Sequence, residues 1–194
     1  MTSKLNAYAR LLAFGLAAAW LSTHAAAASL EERIAVCGGC HGADGNSQIE
    51  NIPSLAGQPE FFVMNQLILM REGVRPVPQM LDVVKDLKDD DIVALAAHYA
   101  RAKPARTQEA IDPALVSRGA ELSQKMRCAS CHMPGFEGQE QMPRLAGQRI
   151  DYMRMALKAY RDNTRAGADT QMSAVVFGAS DADLDALAHY SASK

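Results

Sequence analysis

Two stretches of this 194-residue chain read Cys37-Gly38-Gly39-Cys40-His41 and Cys128-Ala129-Ser130-Cys131-His132. Together they hold all four cysteines, and a histidine follows each cysteine pair directly. Cysteines in a secreted protein usually form disulfides, but the Cys-x-x-Cys-His spacing is the one that attaches a c-type haem. On a helical turn, two thiols three positions apart reach the two vinyl groups, and the adjacent histidine lies under the iron.

Two other kinds of site also use Cys-x-x-Cys pairs. A zinc site needs further ligands, yet no cysteine remains outside the two pairs. A thioredoxin-like redox dithiol does not need a histidine after each pair. We therefore predict two covalently bound haem c groups, each with its iron bound by a histidine. The attaching cysteines and the iron-binding histidines are Cys37, Cys40, His41, Cys128, Cys131 and His132.

The second motif follows the first by 91 positions, and other segments repeat with it. Pro53-Ser54-Leu55-Ala56-Gly57-Gln58 returns as Pro143-Arg144-Leu145-Ala146-Gly147-Gln148. Self-similarity at a fixed period indicates a duplicated structural unit. We predict two haem domains, residues 29–103 and 112–194, joined by the polar, proline-containing linker 104–111.

The apolar residues of both halves recur at helical spacing, and no run of alternating β-branched residues is present. The predicted fold is therefore all-α. Pro59 suits the first turn of a helix, and Asp89 suits its positively polarised N-terminus. The predicted helices cover residues 30–37, 59–72, 89–101, 113–126, 149–161 and 181–191. Domains this small bury little apolar surface, so we expect a haem to complete each core.

The second axial ligand decides the chemistry of each haem. A methionine closes the iron for electron transfer, whereas an open position permits catalysis or gas binding. Met80 follows His41 at almost the same distance along the chain as Met172 follows His132. Each methionine also lies seven positions before the residue that precedes the last helix of its half. We predict that Met80 and Met172 bind the two irons.

The remaining methionines and histidines have different expected roles. Met133 and Met142 follow His132 too closely to reach the opposite face of a haem. Four methionines have core-like spacing on the middle helices, where this flexible side chain commonly fills gaps. They are Met64, Met70, Met153 and Met155. Bis-histidine ligation through His98 and His189 is an alternative, but their positions beside tyrosines favour packed or solvent-facing side chains.

A proline follows each iron-binding histidine at almost the same distance. Pro53 follows His41 in the first half, and Pro143 follows His132 in the second with one position fewer between them. A carbonyl normally holds the far ring N–H of a ligand imidazole. We predict that each proline presents its carbonyl to the histidine, the alternative being an ordinary loop proline.

The N-terminal segment has the three parts of a secretory signal. Lys4 and Arg10 are basic, residues 11–21 are apolar, and residues 25–28 are small. The apolar run is too short to span a bilayer, which needs about 20 apolar residues. We predict that residues 1–28 are removed on export to the periplasm, the alternative being an uncleaved anchor.

The net charge is −2, and no basic stripe of the kind that binds nucleic acid is present. The charge is unevenly distributed, because residues 29–103 contain 7 basic and 11 acidic side chains whereas residues 104–194 contain 11 of each. We expect protein redox partners, of which a basic one docks on the acidic half. We further expect a monomer that can associate peripherally with a membrane.

The chain resembles the cytochrome c4 family over the whole length that follows the signal. The residues that carry the resemblance are Ala-Val-Cys-Gly-Gly-Cys-His-Gly-Ala-Asp-Gly-Asn-Ser at 35–47, Pro-Ser-Leu-Ala-Gly-Gln at 53–58 and Asp-Pro-Ala-Leu-Val-Ser-Arg-Gly at 112–119. The resemblance implies two class I cytochrome c domains related by a pseudo-twofold axis. It also implies His/Met ligation of both irons and a role between a respiratory donor and a terminal oxidase.

Three kinds of function compete for this sequence. We predict a periplasmic carrier that shuttles single electrons between a respiratory donor and a terminal oxidase or reductase. The first alternative is the haem subunit of a periplasmic dehydrogenase complex. The second is an enzyme, a dihaem peroxidase, which needs an open iron and a longer chain.

Overall fold

The computed structural model describes residues 28–167 and 170–194. Within these ranges the chain forms nine helices and a single isolated β-bridge between Gln139 and Met142. The predicted all-α fold is therefore confirmed. Among the described residues, no helix is long and apolar enough to cross a membrane. The predicted signal lies outside the described ranges, apart from residue 28 at its end.

The first half contains helices α1 (Leu30–His41), α2 (Glu60–Arg71), α3 (Pro78–Val84) and α4 (Asp89–Arg101). Helix α1 begins at a capping box, in which Ser29 and Glu32 bind each other's backbone N–H. Helix α4 begins with three aspartates, and the carboxylate of Asp91 accepts a hydrogen bond from the Lys88 N–H. The sequence thus sets both helix starts by satisfying backbone donors that have no partner within the helix.

The second half contains helices α5 (Pro113–Lys125), α6 (Ala129–His132), α7 (Ile150–Arg161), α8 (Thr170–Val176) and α9 (Asp181–Ala192). Helix α7 begins at Ile150 because the Glu109 carboxylate accepts from the backbone N–H groups of Ile150 and Asp151, at 2.7 and 3.1 Å. Helix α9 begins at a capping box made by Ser180 and Asp183. The six helices predicted from the sequence are all present.

The structure differs from the predicted helices in four places. The first helix does not end at Cys37 but continues through His41, so it carries the whole motif. In the second half the chain instead breaks at Arg127, whose φ is +58°, and the motif histidine lies on the separate short helix α6. Helices α3 and α8 lie where the sequence analysis expects loops, and each carries a candidate methionine.

Each half has its own apolar core. In the first, Val84, Ile92 and Leu95 from helices α3 and α4 are almost completely buried. In the second, Ile150, Leu157, Val176 and Leu184 contribute from helices α7, α8 and α9. Equivalent helices therefore enclose an apolar interior in each half.

An arginine at the end of each middle helix holds the segment that carries the methionine. Arg71 donates to the Leu87 carbonyl at 3.0 Å and pairs with the first residue of helix α4. Arg161 donates to the Ala179 carbonyl at 3.1 Å and pairs with Asp181, the first residue of helix α9. Each arginine thereby fixes the far end of the chain segment that contains α3 or α8.

The segment between the halves is bound along its length. Asn46 donates to the Lys103 carbonyl at 3.1 Å and accepts from the Ala105 N–H at 2.8 Å. The Thr107 N–H donates to the Gly147 carbonyl at 3.0 Å. The segment predicted as a linker thus contacts the first half at one end and the second half at the other.

Candidate haem sites

The ring of His41 is buried at the end of helix α1 and fixed by one hydrogen bond. Its Nδ1 atom lies 2.8 Å from the carbonyl oxygen of Pro53. Because a carbonyl only accepts, Nδ1 carries the proton and Nε2 keeps a free lone pair. Burial lowers the pKa of His41, which favours this neutral, ligating form of the ring.

His132 has the same arrangement in the second half. Its ring is buried at the end of helix α6, and Nδ1 lies 2.9 Å from the carbonyl oxygen of Pro143. Burial again lowers its pKa. The predicted contact between each proline carbonyl and its histidine is therefore confirmed in both halves.

The four cysteines lie close to these histidines along the chain. In each pair the first cysteine is half-buried and the second is exposed: Cys37 and Cys40 in the first half, Cys128 and Cys131 in the second. One thiol of each pair therefore faces the apolar core, and the other lies at its rim.

The two candidate methionines pack against the same cores as the motifs. Met80 on helix α3 and Cys37 both contact the core of the first half. Met172 on helix α8 and Cys128 both contact the core of the second. Each half thus places a thioether, a thiol and a buried imidazole around one apolar interior.

Two further histidines of the described residues, His98 and His189, contact other parts of the protein. His189 is buried; its Nδ1 accepts from the Asp112 N–H at 3.1 Å, and its Nε2 lies 3.1 Å from a guanidinium nitrogen of Arg154. His98 is half-buried, and its ring meets that of Tyr99 edge-on with the centroids 5.0 Å apart. The packed role expected for His189 therefore uses both of its ring nitrogens.

The middle-helix methionines have structural roles, with one correction. Met70 and Met153 are core residues, as predicted, and Met64 packs against the core of the first half. The prediction that Met155 belongs to the core is wrong, because 44% of its surface is exposed. It lies only two positions from Met153, and residues two apart on a helix face different sides.

These residues fit a haem c in each half. The group needs two thiols one helical turn apart, an imidazole with a free Nε2 and an apolar surrounding, and the donor set of each half supplies all of them. A protonated Nδ1 held by a carbonyl fixes the ring for iron binding. The fit rests on the hydrogen bonds at 2.8 and 2.9 Å and on the burial of both imidazoles.

Comparison with known proteins gives the same result. Cytochrome c4 of Pseudomonas aeruginosa is 36% identical over 180 residues, which cover 86% of this chain and 89% of that protein. The chain belongs to the cytochrome c4 family. The reduced cytochrome c4 of Pseudomonas stutzeri superimposes with a TM-score of 0.77 at 32% identity, covering 83% of this chain and 94% of that one. The cytochrome c family profile matches residues 116–193.

A further relative is named after the enzyme whose electrons it accepts. The thiosulfate dehydrogenase electron acceptor of Thiomonas intermedia is 31% identical over 195 residues, which cover 92% of this chain and 88% of that protein. Membership of the cytochrome c4 family means that this protein carries covalently bound haem c, two groups in this family, and transfers electrons. It is a carrier rather than an enzyme, as the sequence predicts.

One feature of the site was not predictable from the sequence. Gln58 and Gln148 end the two copies of the repeated Pro-x-Leu-Ala-Gly-Gln segment, and each binds the backbone of the other half. The repetition of the glutamine was visible in the sequence. Its partner was not, because the pairing depends on how the two halves dock.

Proposed function

We propose that this cytochrome c4 family member holds one haem c in each of two domains, residues 29–103 and 112–194, joined by residues 104–111. Thioether bonds attach each haem, and a histidine and a methionine bind its iron. In the first domain these residues are Cys37, Cys40, His41 and Met80. In the second they are Cys128, Cys131, His132 and Met172.

The observation that carries this proposal is the state of the two histidine rings. Each is buried and places Nδ1 against a carbonyl oxygen that can only accept a hydrogen bond, so that Nε2 is available as a ligand. The bound haem iron supplies the ability to take up and release one electron. The chain orients the imidazoles through the Pro53 and Pro143 carbonyls, and the thioethers of Met80 and Met172 would complete the ligand sets.

We further propose that the protein works in the periplasm, after removal of residues 1–28, between a respiratory donor and a terminal oxidase or reductase. The basic, apolar and small-residue parts of the N-terminus support export. Closed iron coordination supports electron transfer rather than turnover of a substrate such as peroxide.

The second candidate function is to accept electrons from a dehydrogenase. The Thiomonas intermedia relative, named as the electron acceptor of thiosulfate dehydrogenase, favours it. Such a role places the same two haems beside a dehydrogenase that oxidises an inorganic sulfur compound. The two candidate functions differ in the electron donor and in whether that donor stays bound to this protein.

The test supplies the oxidised holoprotein with either donor and follows haem reduction by absorbance. One reaction contains respiratory membranes with a substrate that reduces quinone to quinol, and the other contains thiosulfate with a thiosulfate dehydrogenase. Reduction by membranes, followed by reoxidation through a terminal oxidase, supports the shuttle. Reduction by the dehydrogenase alone, with stable co-purification of the two proteins, supports the second candidate. Heat-denatured membranes and dehydrogenase without thiosulfate are the controls.

A further inference from the structure

The peptide unit between Pro53 and Ser54 is hydrogen-bonded at both ends. Its carbonyl oxygen accepts from Nδ1 of His41 at 2.8 Å. Its N–H donates to Oε1 of Gln148 at 2.8 Å. Because a peptide unit is planar and rigid, this one links the iron-binding histidine of the first half directly to a side chain of the second.

The peptide unit between Pro143 and Arg144 repeats the arrangement in the opposite direction. Its carbonyl accepts from Nδ1 of His132 at 2.9 Å, and its N–H donates to Oε1 of Gln58 at 3.0 Å. The histidine of the second half is therefore linked to a side chain of the first.

Each glutamine also donates to the residue whose N–H it accepts from. Nε2 of Gln148 lies 2.9 Å from the Ser54 carbonyl, and Nε2 of Gln58 lies 2.9 Å from the Arg144 carbonyl. The exposed fractions of Gln58 and Gln148 are only 5% and 4%. Two bonds from each buried amide to the other half hold each peptide unit in one orientation, since a buried polar group left unpaired is costly.

A hydrogen bond accepted from a peptide N–H also changes the carbonyl of the same peptide. Chains of hydrogen bonds polarise one another, so the carbonyl becomes a stronger acceptor. A stronger acceptor draws the Nδ1 proton of the histidine more strongly and raises the basicity of the ligand nitrogen. The amide of one half thus acts on the imidazole of the other through a single peptide unit.

We propose that Gln58 and Gln148 are positioning residues that act crosswise: Gln148 orients and polarises the carbonyl that holds His41, and Gln58 does the same for His132. Each half thereby sets the ligand field of the iron in the other half. The inference rests on the proposed ligand role of the two histidines.

The test uses the reduced holoprotein labelled with 15N-histidine and the variants Gln58→Met and Gln148→Met. Methionine has a similar length but forms no such bonds. The readout is the hydrogen–deuterium exchange of the two Nδ1 protons. In Gln58→Met the proton of His132 should exchange about five- to thirtyfold faster while that of His41 keeps its rate, because one or two hydrogen bonds are lost on one side only. Gln148→Met should show the reverse pattern.

A redox titration gives an independent second readout. Loss of the amide weakens the carbonyl as an acceptor, makes the imidazole less electron-rich and favours the reduced iron. The potential of the second haem should therefore rise in Gln58→Met, and that of the first should rise in Gln148→Met. The control is Gln66→Met, because Gln66 binds Arg75 within its own half. This variant should change neither the potentials nor the exchange rates.

Equal acceleration of both protons in each variant would mean that the glutamines only hold the halves together, and it would overturn the inference. So would an effect confined to the half that carries the substitution. If a variant fails to assemble, the wild-type protein provides the test. The exchange rates of the Arg144 amide proton and of the His132 ring proton should then increase with added urea in the same way. A wild-type spectrum that shows no histidine ligation would instead contradict the proposed function itself.

Discussion

His41 and His132, the proposed iron ligands, are each oriented by one carbonyl oxygen, at 2.8 and 2.9 Å. A neutral imidazole has two tautomers, and only the one protonated on Nδ1 leaves Nε2 for the iron. The carbonyl of Pro53 or Pro143 selects that tautomer. Burial supports the same outcome by lowering the pKa of both rings.

At the residue scale, the test of axial ligation replaces each candidate methionine in turn. Met80→Ala and Met172→Ala should each remove about half of the near-infrared band that arises from methionine-to-iron charge transfer, because each methionine is the proposed ligand of one of two irons. The measurement is the absorption spectrum of the oxidised protein.

The matched control for this experiment is Met155→Ala, since Met155 is the same residue type but is 44% exposed on helix α7. Its band should be unchanged. An intact band in both ligand variants would assign the irons to other residues, of which Met64 is the first to examine because it borders the core of the first half.

The contacts of single residues were only partly predictable from the sequence. The cysteines and histidines of the motif were predictable because their chemistry depends on spacing along the chain. The Pro53 contact was predictable for the same reason, as it lies within one loop. The partner of Gln58 was not, because Arg144 lies 86 positions away and meets it only through docking of the halves.

At the element scale, helices α5 and α9 approach each other closely at Gly119. A Cβ atom at this position would lie 2.1 Å from the carbonyl oxygen of Ala186 and 2.6 Å from Cβ of Tyr190. The absence of a side chain therefore permits the contact between the two helices. Helix α9 carries much of the core of the second half, so the contact also positions that core.

Gly119→Ala should lower the free energy of unfolding, although alanine normally stabilises a helix interior by about 0.5–1 kcal/mol relative to glycine. Overpacking costs about 1–3 kcal/mol and reverses the sign. Denaturant unfolding of the holoprotein measures the effect as a lower midpoint at an unchanged slope. Glu121→Ala, on the exposed face of the same helix, is the control and should change the midpoint little. A stabilised Gly119→Ala protein would contradict the close contact.

The long helices were predictable, whereas the short ones were not. Helices α2, α4 and α7 have 12 or 13 residues and show several turns of apolar periodicity. Helices α3 and α8 have seven residues each, which is less than the length over which periodicity is informative. The two methionine-bearing segments therefore lie outside the predicted helices, and only the spacing from each motif histidine points to Met80 and Met172.

At the scale of the whole molecule, the two methionine helices are flanked by different surfaces. Beside Met80 the exposed side chains include Asp82 and Lys85, which form an ion pair at 2.7 Å. Beyond Met172, Val175 and Phe177 are 41% and 78% exposed. The surface beside Met80 carries charges next to the exposed Leu81, whereas that beyond Met172 is apolar, and this difference suits two different partners.

Electron transfer from a basic redox protein should slow as salt is added, because the acidic half attracts it and salt screens that attraction over about 8–10 Å. Asp82→Asn with Asp86→Asn should flatten the dependence of the stopped-flow rate on salt. The control pair, Glu137→Gln with Glu140→Gln, removes two acids from the second half and should leave the dependence unchanged. Equal effects of the two pairs would contradict the idea of two unlike surfaces.

The hydrogen bonds that Gln58 and Gln148 make to the other half also affect how the two copies of a duplicated chain can diverge in sequence. Each amide binds the main chain at position 54 or 144, and every residue type except proline offers the same N–H and carbonyl there. One copy now has serine and the other arginine at this position, yet the bonds are equivalent. Substitutions at these two sites are therefore nearly silent for the junction. The halves are thus free to acquire different surfaces while the bonds between them stay alike.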